Sequence, residues 1–319
     1  MIIPPIPTEA VSLISKQASG PVPVHIHILA QKLRERYGNS VLGILFYGSC
    51  LRDPDNLEGI ADLYLIVDSY YHTYDNPCLA GFNKLLPPNV FYMEVPWRNT
   101  TLRCKYGIFS LDDIHAGTSA WFHSYLWGRL SQVVRLVYTK NNEIKDEICK
   151  SLASAVFTFI SCVVPVMRGR FTCRELWQKG LSFSYNAELR PERQDRAVGL
   201  FDYGSDYYEK ITHIILTMPL FSTKVMTRSH GLVYEVRIPI LKYFYSRFLW
   251  NIRFFQGKVL SLLRLLKGFF TFENGIEYII WKIERHSGIR VTVSPRLRRI
   301  PVVGAIAIFW RLYRSGAFN

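Results

Sequence analysis

The chain has 319 residues, of which 49% are hydrophobic and 20% are charged, and this composition excludes an intrinsically disordered protein. The net charge is +14, and the segment from residue 237 onwards contains fifteen Lys and Arg against three Glu. That segment therefore carries +12 of the net charge, and we expect the partner of the basic surface to bind there.

Neither the cysteines nor the apolar runs predict a metal site or a membrane span. The six cysteines form no C-x-x-C pair and do not cluster with histidines, which is typical of free thiols. Residues 1–10 lack the pattern of a signal or transit peptide. The uncharged run over 151–167 is shorter than the roughly 20 residues that span a bilayer, so it predicts a buried core helix.

In chain order, the first 140 residues predict an α/β head with a mixed sheet. Helical spacing with a basic end predicts a helix over 24–37, which Gly38 ends. The apolar runs that follow predict strands at 41–47, 61–67 and 88–95, a further extended stretch near 102–109, and a helix from Ser110.

The remaining patterns are mostly helical. They predict helices over 120–135, 143–167, the first part of 171–195 and most of 203–270, with breaks near Pro219 and at Pro239. The predicted architecture is a mixed α/β head over 1–140, a helical domain over 141–236 and a basic amphipathic helical tail over 237–319.

One candidate site lies between the first two predicted strands. Gly48 and Ser49 end the first strand, where their N–H groups and the hydroxyl can approach a triphosphate. Asp62 opens the second strand, where its carboxylate can hold Mg²⁺. Asp68 shares its face but lies about 20 Å away, too far to bind the same ion. Because Tyr64 replaces a second acid in this strand, the pattern alone favours an ordinary turn.

Several further motifs follow in a defined order. They read "YGSC" (47–50), "DLYLIVD" (62–68), "KYGIFS" (105–110), "YLWGRLSQVVRLV" (125–137), "GLSFSYNAELRPE" (180–192) and "FDYGSDYYEKIT" (201–212). In this order the chain resembles the mitochondrial phosphatidate cytidylyltransferase family, also called the mitochondrial translocator assembly and maintenance protein family. The resemblance implies a polymerase-β-like nucleotidyltransferase fold and the reaction of CTP with phosphatidate to give CDP-diacylglycerol and pyrophosphate.

The resemblance also implies roles for individual residues. Asp62 and Glu188 would hold Mg²⁺, and Gly48 and Ser49 would bind the phosphates of CTP. The implied cations beside the phosphates are Lys105, Arg129 and Arg190. A solvated lysine and two arginines in structural ion pairs remain the alternatives for these three.

Two positions depart from the family pattern, since Cys50 stands for a glycine and Glu188 for an aspartate. A related enzyme acting on another lipid phosphate and a non-catalytic membrane scaffold therefore stay open. A polymerase-like nucleotidyltransferase acting on RNA or a small molecule is a third alternative, which the missing second acid and the apolar tail disfavour.

The tail interleaves basic residues with aromatic and aliphatic ones. Lys242, Arg253 and Arg264 are spaced by eleven residues, so on a helix they would share one face. This pattern predicts a helix in the headgroup plane of an anionic membrane, where it would meet phosphatidate. We expect a peripheral protein on the cytoplasmic face that binds no nucleic acid, because the apolar residues are too continuous for such a surface.

Overall fold

The computed structural model describes residues 5–53, 57, 59–189, 194–228 and 231–271. Its helices are α1 (Thr8–Ala18), α2 (Val24–Tyr37), α3 (Tyr70–Thr73), α4 (Pro77–Leu85), α5 (Leu111–Ser119), α6 (Trp127–Leu130), α7 (Asn142–Val163), α8 (Cys173–Asn186), α9 (Gln194–Tyr203), α10 (Ser205–Leu216) and α11 (Ile240–Thr271). Its strands are β1 (Val41–Tyr47), β2 (Ile60–Val67), β3 (Asn89–Trp97), β4 (Thr100–Ser110), β5 (Arg135–Thr139), β6 (Arg170–Thr172), β7 (Thr223–Arg228) and β8 (Gly231–Val236).

A five-stranded sheet in the order β3-β4-β2-β1-β5 organises the N-terminal part of the chain. Strands β2 and β4 are parallel, and the other neighbours are antiparallel, so the sheet is mixed. This confirms the predicted α/β fold with a mixed sheet followed by helices. The Ser110 side chain accepts a hydrogen bond from Asp113 N, as predicted for the start of a helix at this position.

The two faces of the sheet pack against different helices. Alternate residues of β2 point to opposite faces, so Leu63 and Leu65 join the core that includes α2, whereas Tyr64 and Ile66 join the core of α7 and α8. Asp62 lies two residues before Tyr64 and shares its face. The candidate carboxylate is therefore directed towards the helical part of the protein.

The central helix of that part is α7. Residues 142–166 are long and apolar enough to cross a membrane, but 78% of the most apolar window is buried inside the protein. This is the burial expected of a core helix, as predicted for 151–167. The same apolar core takes side chains from all three predicted segments, including Ala10, Val156 and Trp250. The proposed domain boundaries at 140 and 236 stay a prediction.

Two helical predictions are wrong. The stretch 120–135 contains only the short α6, because Arg135 begins β5, which pairs with the free edge of β1. The predicted helix from 203 is interrupted by the hairpin of β7 and β8, which joins β6 in a three-stranded sheet. Strand β5 pairs with the distant strand β1, and β8 pairs with the distant strand β6 in addition to its hairpin partner β7. This pairing overrides the helical spacing.

Helix α11 is packed against the protein along one side. Trp250 is 1% exposed, and its Nε1 donates to the carbonyl of Cys162 at 3.0 Å. The prediction that Lys242, Arg253 and Arg264 form a basic outer face is wrong for two of the three. Arg253 is buried and donates to Phe122 O, and Arg264 donates to Pro87 O, because the backbone carbonyls of the head supply acceptors on this side.

Candidate active site

The turn after β1 places the backbone of Gly48 against a carboxylate. Gly48 has a φ of +91°, a conformation that favours glycine, and a Cβ there would lie 2.5 Å from Oδ2 of Asp62. The turn is closed by a hydrogen bond from Arg52 N to Ser49 O at 3.0 Å. Tyr203 of α9 donates to Leu51 O at 2.9 Å and fixes the end of the turn.

Strand pairing places two charged residues beside each other. Asp62 of β2 is in register with Lys105 of the parallel strand β4, and their side chains form an ion pair of 3.0 Å. Both side chains keep partial contact with solvent. We call Gly48, Ser49, Asp62 and Lys105 the sheet half of the site, because β1, β2 and β4 hold all four.

Two stacked tyrosines connect the sheet half with the helices. Tyr47 is in register with Asp62, and its ring stacks on that of Tyr64 with centroids 4.2 Å apart. Burial raises the pKa of Tyr47 well above its ordinary value, and neighbouring Tyr64 and Asp62 raise it further. Burial also raises the pKa of Tyr64. Both phenols therefore stay neutral and form an apolar wall beside Asp62.

A second ion pair assembles from distant parts of the chain. Arg129 Nη2 donates to Glu188 Oε2 at 2.5 Å, although 59 residues separate the two. The contact requires α6 to approach α8 closely, and Gly128 permits this, because a Cβ there would lie 2.6 Å from Ser184 Oγ. Glu188 follows α8 directly and is thereby held next to Arg129.

The ring of Tyr125 lies against two guanidinium groups. Arg129 lies over it at 4.1 Å from the centroid and Arg264 of α11 at 3.9 Å. Burial by itself would lower the pKa of Arg129, but Glu188 and the nearby tyrosines outweigh it and raise that pKa. We call Tyr125, Arg129, Glu188 and Arg264 the helical half of the site.

Part of the chain is similar to a known enzyme family. Residues 68–195 match a family model described as mitochondrial phosphatidate cytidylyltransferase. The resemblance seen in the motifs is confirmed. The matched segment is that of a nucleotidyltransferase enzyme family. No curated protein matches the chain.

The match divides the predicted site residues. It covers Lys105, Arg129 and Glu188, whereas Gly48, Ser49 and Asp62 precede it. Arg190 also falls within the matched range but lies outside the described residues. The roles of the turn and of Asp62 in a cytidylyltransferase site therefore stay a prediction.

The donor chemistry at Asp62 fits a divalent cation. The oxygen Oδ1 contacts Lys105, the oxygen Oδ2 lies against the backbone of Gly48, and a carboxylate is a typical ligand of Mg²⁺. Among the described residues there is no group of three or more His, Cys, Asp and Glu that could hold a metal. The participation of Glu188 in a metal site stays a prediction.

The motifs alone did not point to two residues of the helical half. Tyr125 stands within a recognised motif, but nothing in its spacing indicated that two guanidinium groups would contact its ring. Arg264 was expected on the surface of the tail, and only the packing of α11 brings it to Tyr125. The sequence offers one signal for Arg264: no Asp or Glu stands three or four residues away on the helix to pair with it.

Proposed function

We propose that the protein is a CTP:phosphatidate cytidylyltransferase that acts at a membrane surface. The family match supports this chemistry over residues 68–195. The observation that carries the proposal is the sheet half of the site, in which Asp62 lies between Lys105 and the positive-φ turn at Gly48. A triphosphate needs this combination of approachable backbone, cation and metal-binding carboxylate.

In the proposed reaction, an oxygen of the lipid phosphate attacks the α-phosphorus of CTP in line. A new P–O bond forms, the bond from the α-phosphorus to the bridging oxygen breaks, and pyrophosphate leaves. The lipid phosphate is ionised near neutral pH, so positioning and charge neutralisation contribute more than a general base.

The protein groups would bind and orient the substrates. The backbone N–H groups at Gly48 and Ser49, with the Ser49 hydroxyl, donate to phosphate oxygens, and Lys105 places a positive charge beside them. Asp62 and Glu188 would hold Mg²⁺, which neutralises charge on the triphosphate when bound. Arg129 holds Glu188 in place.

A liposome assay with radiolabelled CTP, Mg²⁺ and phosphatidate tests this proposal. We expect label in the lipid fraction and pyrophosphate release that depends on phosphatidate. Release with a different lipid phosphate, but not with phosphatidate, would favour the related enzyme. Labelled RNA would indicate a polymerase-like activity, and the absence of turnover with every acceptor would favour a non-catalytic scaffold.

Membrane attachment is part of the same proposal, and the outer side of α11 supports it. Large apolar side chains recur there at helical spacing along a helix of 32 residues. The exposed ones are Ile240, Leu241, Phe244, Tyr245, Phe248, Ile252, Phe255, Val259, Leu262, Leu263, Leu265 and Leu266. Single exposed apolar residues are common on protein surfaces, but a continuous stripe along a whole helix marks an interaction surface. The acyl region of a bilayer would cover this stripe.

A vesicle flotation assay on the full chain tests the attachment. We expect Phe244→Ser combined with Phe248→Ser to reduce flotation with anionic vesicles by several-fold. Val24→Ser is the matched control, because Val24 is 68% exposed at the start of α2, which packs against β1, β4 and β5. Equal flotation of both variants and the wild type would contradict attachment through α11.

The side of the membrane is also part of the proposal. A cytoplasmic face follows from the patterns of the sequence, whereas the matched family is described as mitochondrial. Protease protection of the protein in intact and in opened mitochondria decides between the two, since only an internal protein is cleaved exclusively after opening.

A further inference from the structure

Helix α11 reaches the candidate site with a cation. Arg264 donates its Nε to Pro87 O at 3.0 Å, and its guanidinium lies 3.9 Å from the ring centroid of Tyr125. One turn later, Lys267 Nζ donates to the carbonyls of Leu86 and Pro88. These contacts fix the C-terminal part of α11 on the loop before β3 and hold Arg264 over the site.

The same helix also packs beside Glu188. Gly257 of α11 lies so close to α8 that a Cβ would be 2.4 Å from the carbonyl oxygen of Ala187, the residue before Glu188. Helix α11 thus approaches the helical half at two points, beside Glu188 through Gly257 and at Tyr125 through Arg264. Its position determines where Arg264 lies relative to the Arg129–Glu188 pair.

The helical half has an excess of positive charge. Two guanidinium groups share the ring of Tyr125, but Glu188 is the one carboxylate with which a described ion pair forms there. Burial lowers the pKa of Arg264, and the neighbouring Arg129 lowers it as well, whereas Tyr125 and Glu188 raise it. Within the described part of the chain, Nη1 and Nη2 of Arg264 donate no hydrogen bond, so a complete fork of donors is available to an anion.

We infer that Arg264 binds the phosphate of the acceptor lipid and places it for attack on the nucleotide. This inference rests on the proposed cytidylyltransferase function and assigns its acceptor subsite to the helical half. Arg264 enters from the helix whose opposite side is apolar and exposed. A phosphomonoester whose acyl chains lie against that side presents its headgroup at the same helix.

The nucleotide has a separate set of contacts in this arrangement. Its phosphates are assigned to the turn at Gly48, to Lys105 and to the metal ligand Asp62, all on the strands. The stacked rings of Tyr47 and Tyr64 border both halves, since Tyr47 is in register with Asp62 and Arg129 lies near both rings. The acceptor phosphate would therefore approach from the α11 side, opposite the nucleotide contacts.

Steady-state kinetics on Arg264→Gln test the inference, with water-dispersible dihexanoyl phosphatidate as the acceptor so that vesicle binding is not measured. We expect the KM for this acceptor to rise about ten- to hundredfold, which corresponds to the loss of a charge-assisted hydrogen bond. The KM for CTP should stay within about twofold of the wild type. Arg264→Lys should recover part of the loss, because it keeps the charge without the fork. Lys258→Gln is the matched control, since it removes an exposed cation from α11 without a described contact to the head.

Calorimetric titration of dihexanoyl phosphatidate, without CTP, separates this inference from the proposed function. Binding that Arg264→Gln weakens supports the inference even if the wild type shows no turnover. A turnover-competent wild type with an unchanged acceptor KM in Arg264→Gln would overturn it. A rise confined to the KM for CTP, or equal losses in Arg264→Gln and Lys258→Gln, would overturn it as well. If Arg264→Gln lowers the melting temperature but leaves the acceptor KM unchanged, Arg264 only stabilises the fold and the inference is wrong.

Discussion

The two halves of the candidate site are built in different ways. The sheet half is held by backbone pairing, so Asp62 and Lys105 face each other because β2 and β4 are in register. The helical half is held by side-chain packing, since Arg129, Glu188 and Arg264 come from three segments separated by 59 and 76 residues. Strand register determines which residues lie side by side on neighbouring strands. The packing of the helices depends instead on small residues such as Gly128 and Gly257 at the contacts.

The largest effect is expected in the sheet half. Asp62→Asn removes the carboxylate charge without changing the shape of the side chain. We expect turnover with CTP and phosphatidate to fall about a thousandfold or more, because a metal ligand supplies several kcal/mol of charge stabilisation. Radiolabel transfer measures the fall, and vesicle flotation of this variant should stay unchanged. Loss of both activities would indicate that Asp62 stabilises the fold instead.

The second effect is expected in the helical half and concerns stability. Glu188→Met leaves the guanidinium of Arg129 half-buried without its carboxylate, which should cost about 2–3 kcal/mol of unfolding free energy. The double variant Arg129→Met, Glu188→Met should recover most of this loss, since both charges are then removed. Urea denaturation measures the three variants.

The variant Glu188→Met and the double variant also show whether Glu188 has only a structural role or binds a metal as well. If Glu188 also binds Mg²⁺, the double variant should be stable but inactive, and its thermal shift with Mg²⁺ and CTP should be smaller than that of the wild type. An active double variant would exclude Glu188 from the metal site.

The third effect returns to the sheet half and tests its turn. Gly48→Ala forces a side chain into a positive-φ conformation and towards Oδ2 of Asp62, so we expect a loss of about 2 kcal/mol and a strong loss of turnover. Gly81→Ala is the matched control in α4, where a Cβ meets no atom within 4 Å. This control should be neutral or more stable by about 0.5–1 kcal/mol. Equal melting temperatures of the two variants would contradict the predicted strain.

The smallest effect is expected at Lys267 of α11 and concerns the pH dependence of the stability of the protein. Burial and the neighbouring Arg264 lower the pKa of Lys267 from 10.5 to about 7. Between these values the unfolded chain binds the proton and the folded chain does not, so stability should rise with pH across this window. The slope is at most about 1.4 kcal/mol per pH unit.

Lys267→Met removes this group, and its control is Lys242→Met at the exposed start of the same helix. Thermal unfolding between about pH 6 and pH 9 should show a smaller increase in stability for Lys267→Met than for the wild type and Lys242→Met. Parallel curves for all three proteins would mean that Lys267 keeps its proton in the folded state.

Local patterns predicted the sheet half well and the helical half poorly. The apolar runs located β1, β2 and β3 to within about two residues, and the Gly-Ser break located the turn. The helical spacing over 120–135 failed because β5 pairs with β1, and the spacing after 203 failed because β7 and β8 form a hairpin. Strand β5 needs the distant strand β1 as its partner, and the hairpin of β7 and β8 is completed by the distant strand β6. No local pattern contains these distant partners.

The sequence by itself determined the mixed sheet, the position of Asp62 on its strand and the family to which residues 68–195 are similar. These depend on alternation, turn chemistry and motif order, all of which are local. Only the tertiary structure decided that the cations Arg253, Arg264 and Lys267 of α11 turn inwards and its apolar side chains outwards. The reason is that the head offers unpaired backbone carbonyls to those cations, and a hydrogen-bonded cation costs less to bury than one without acceptors.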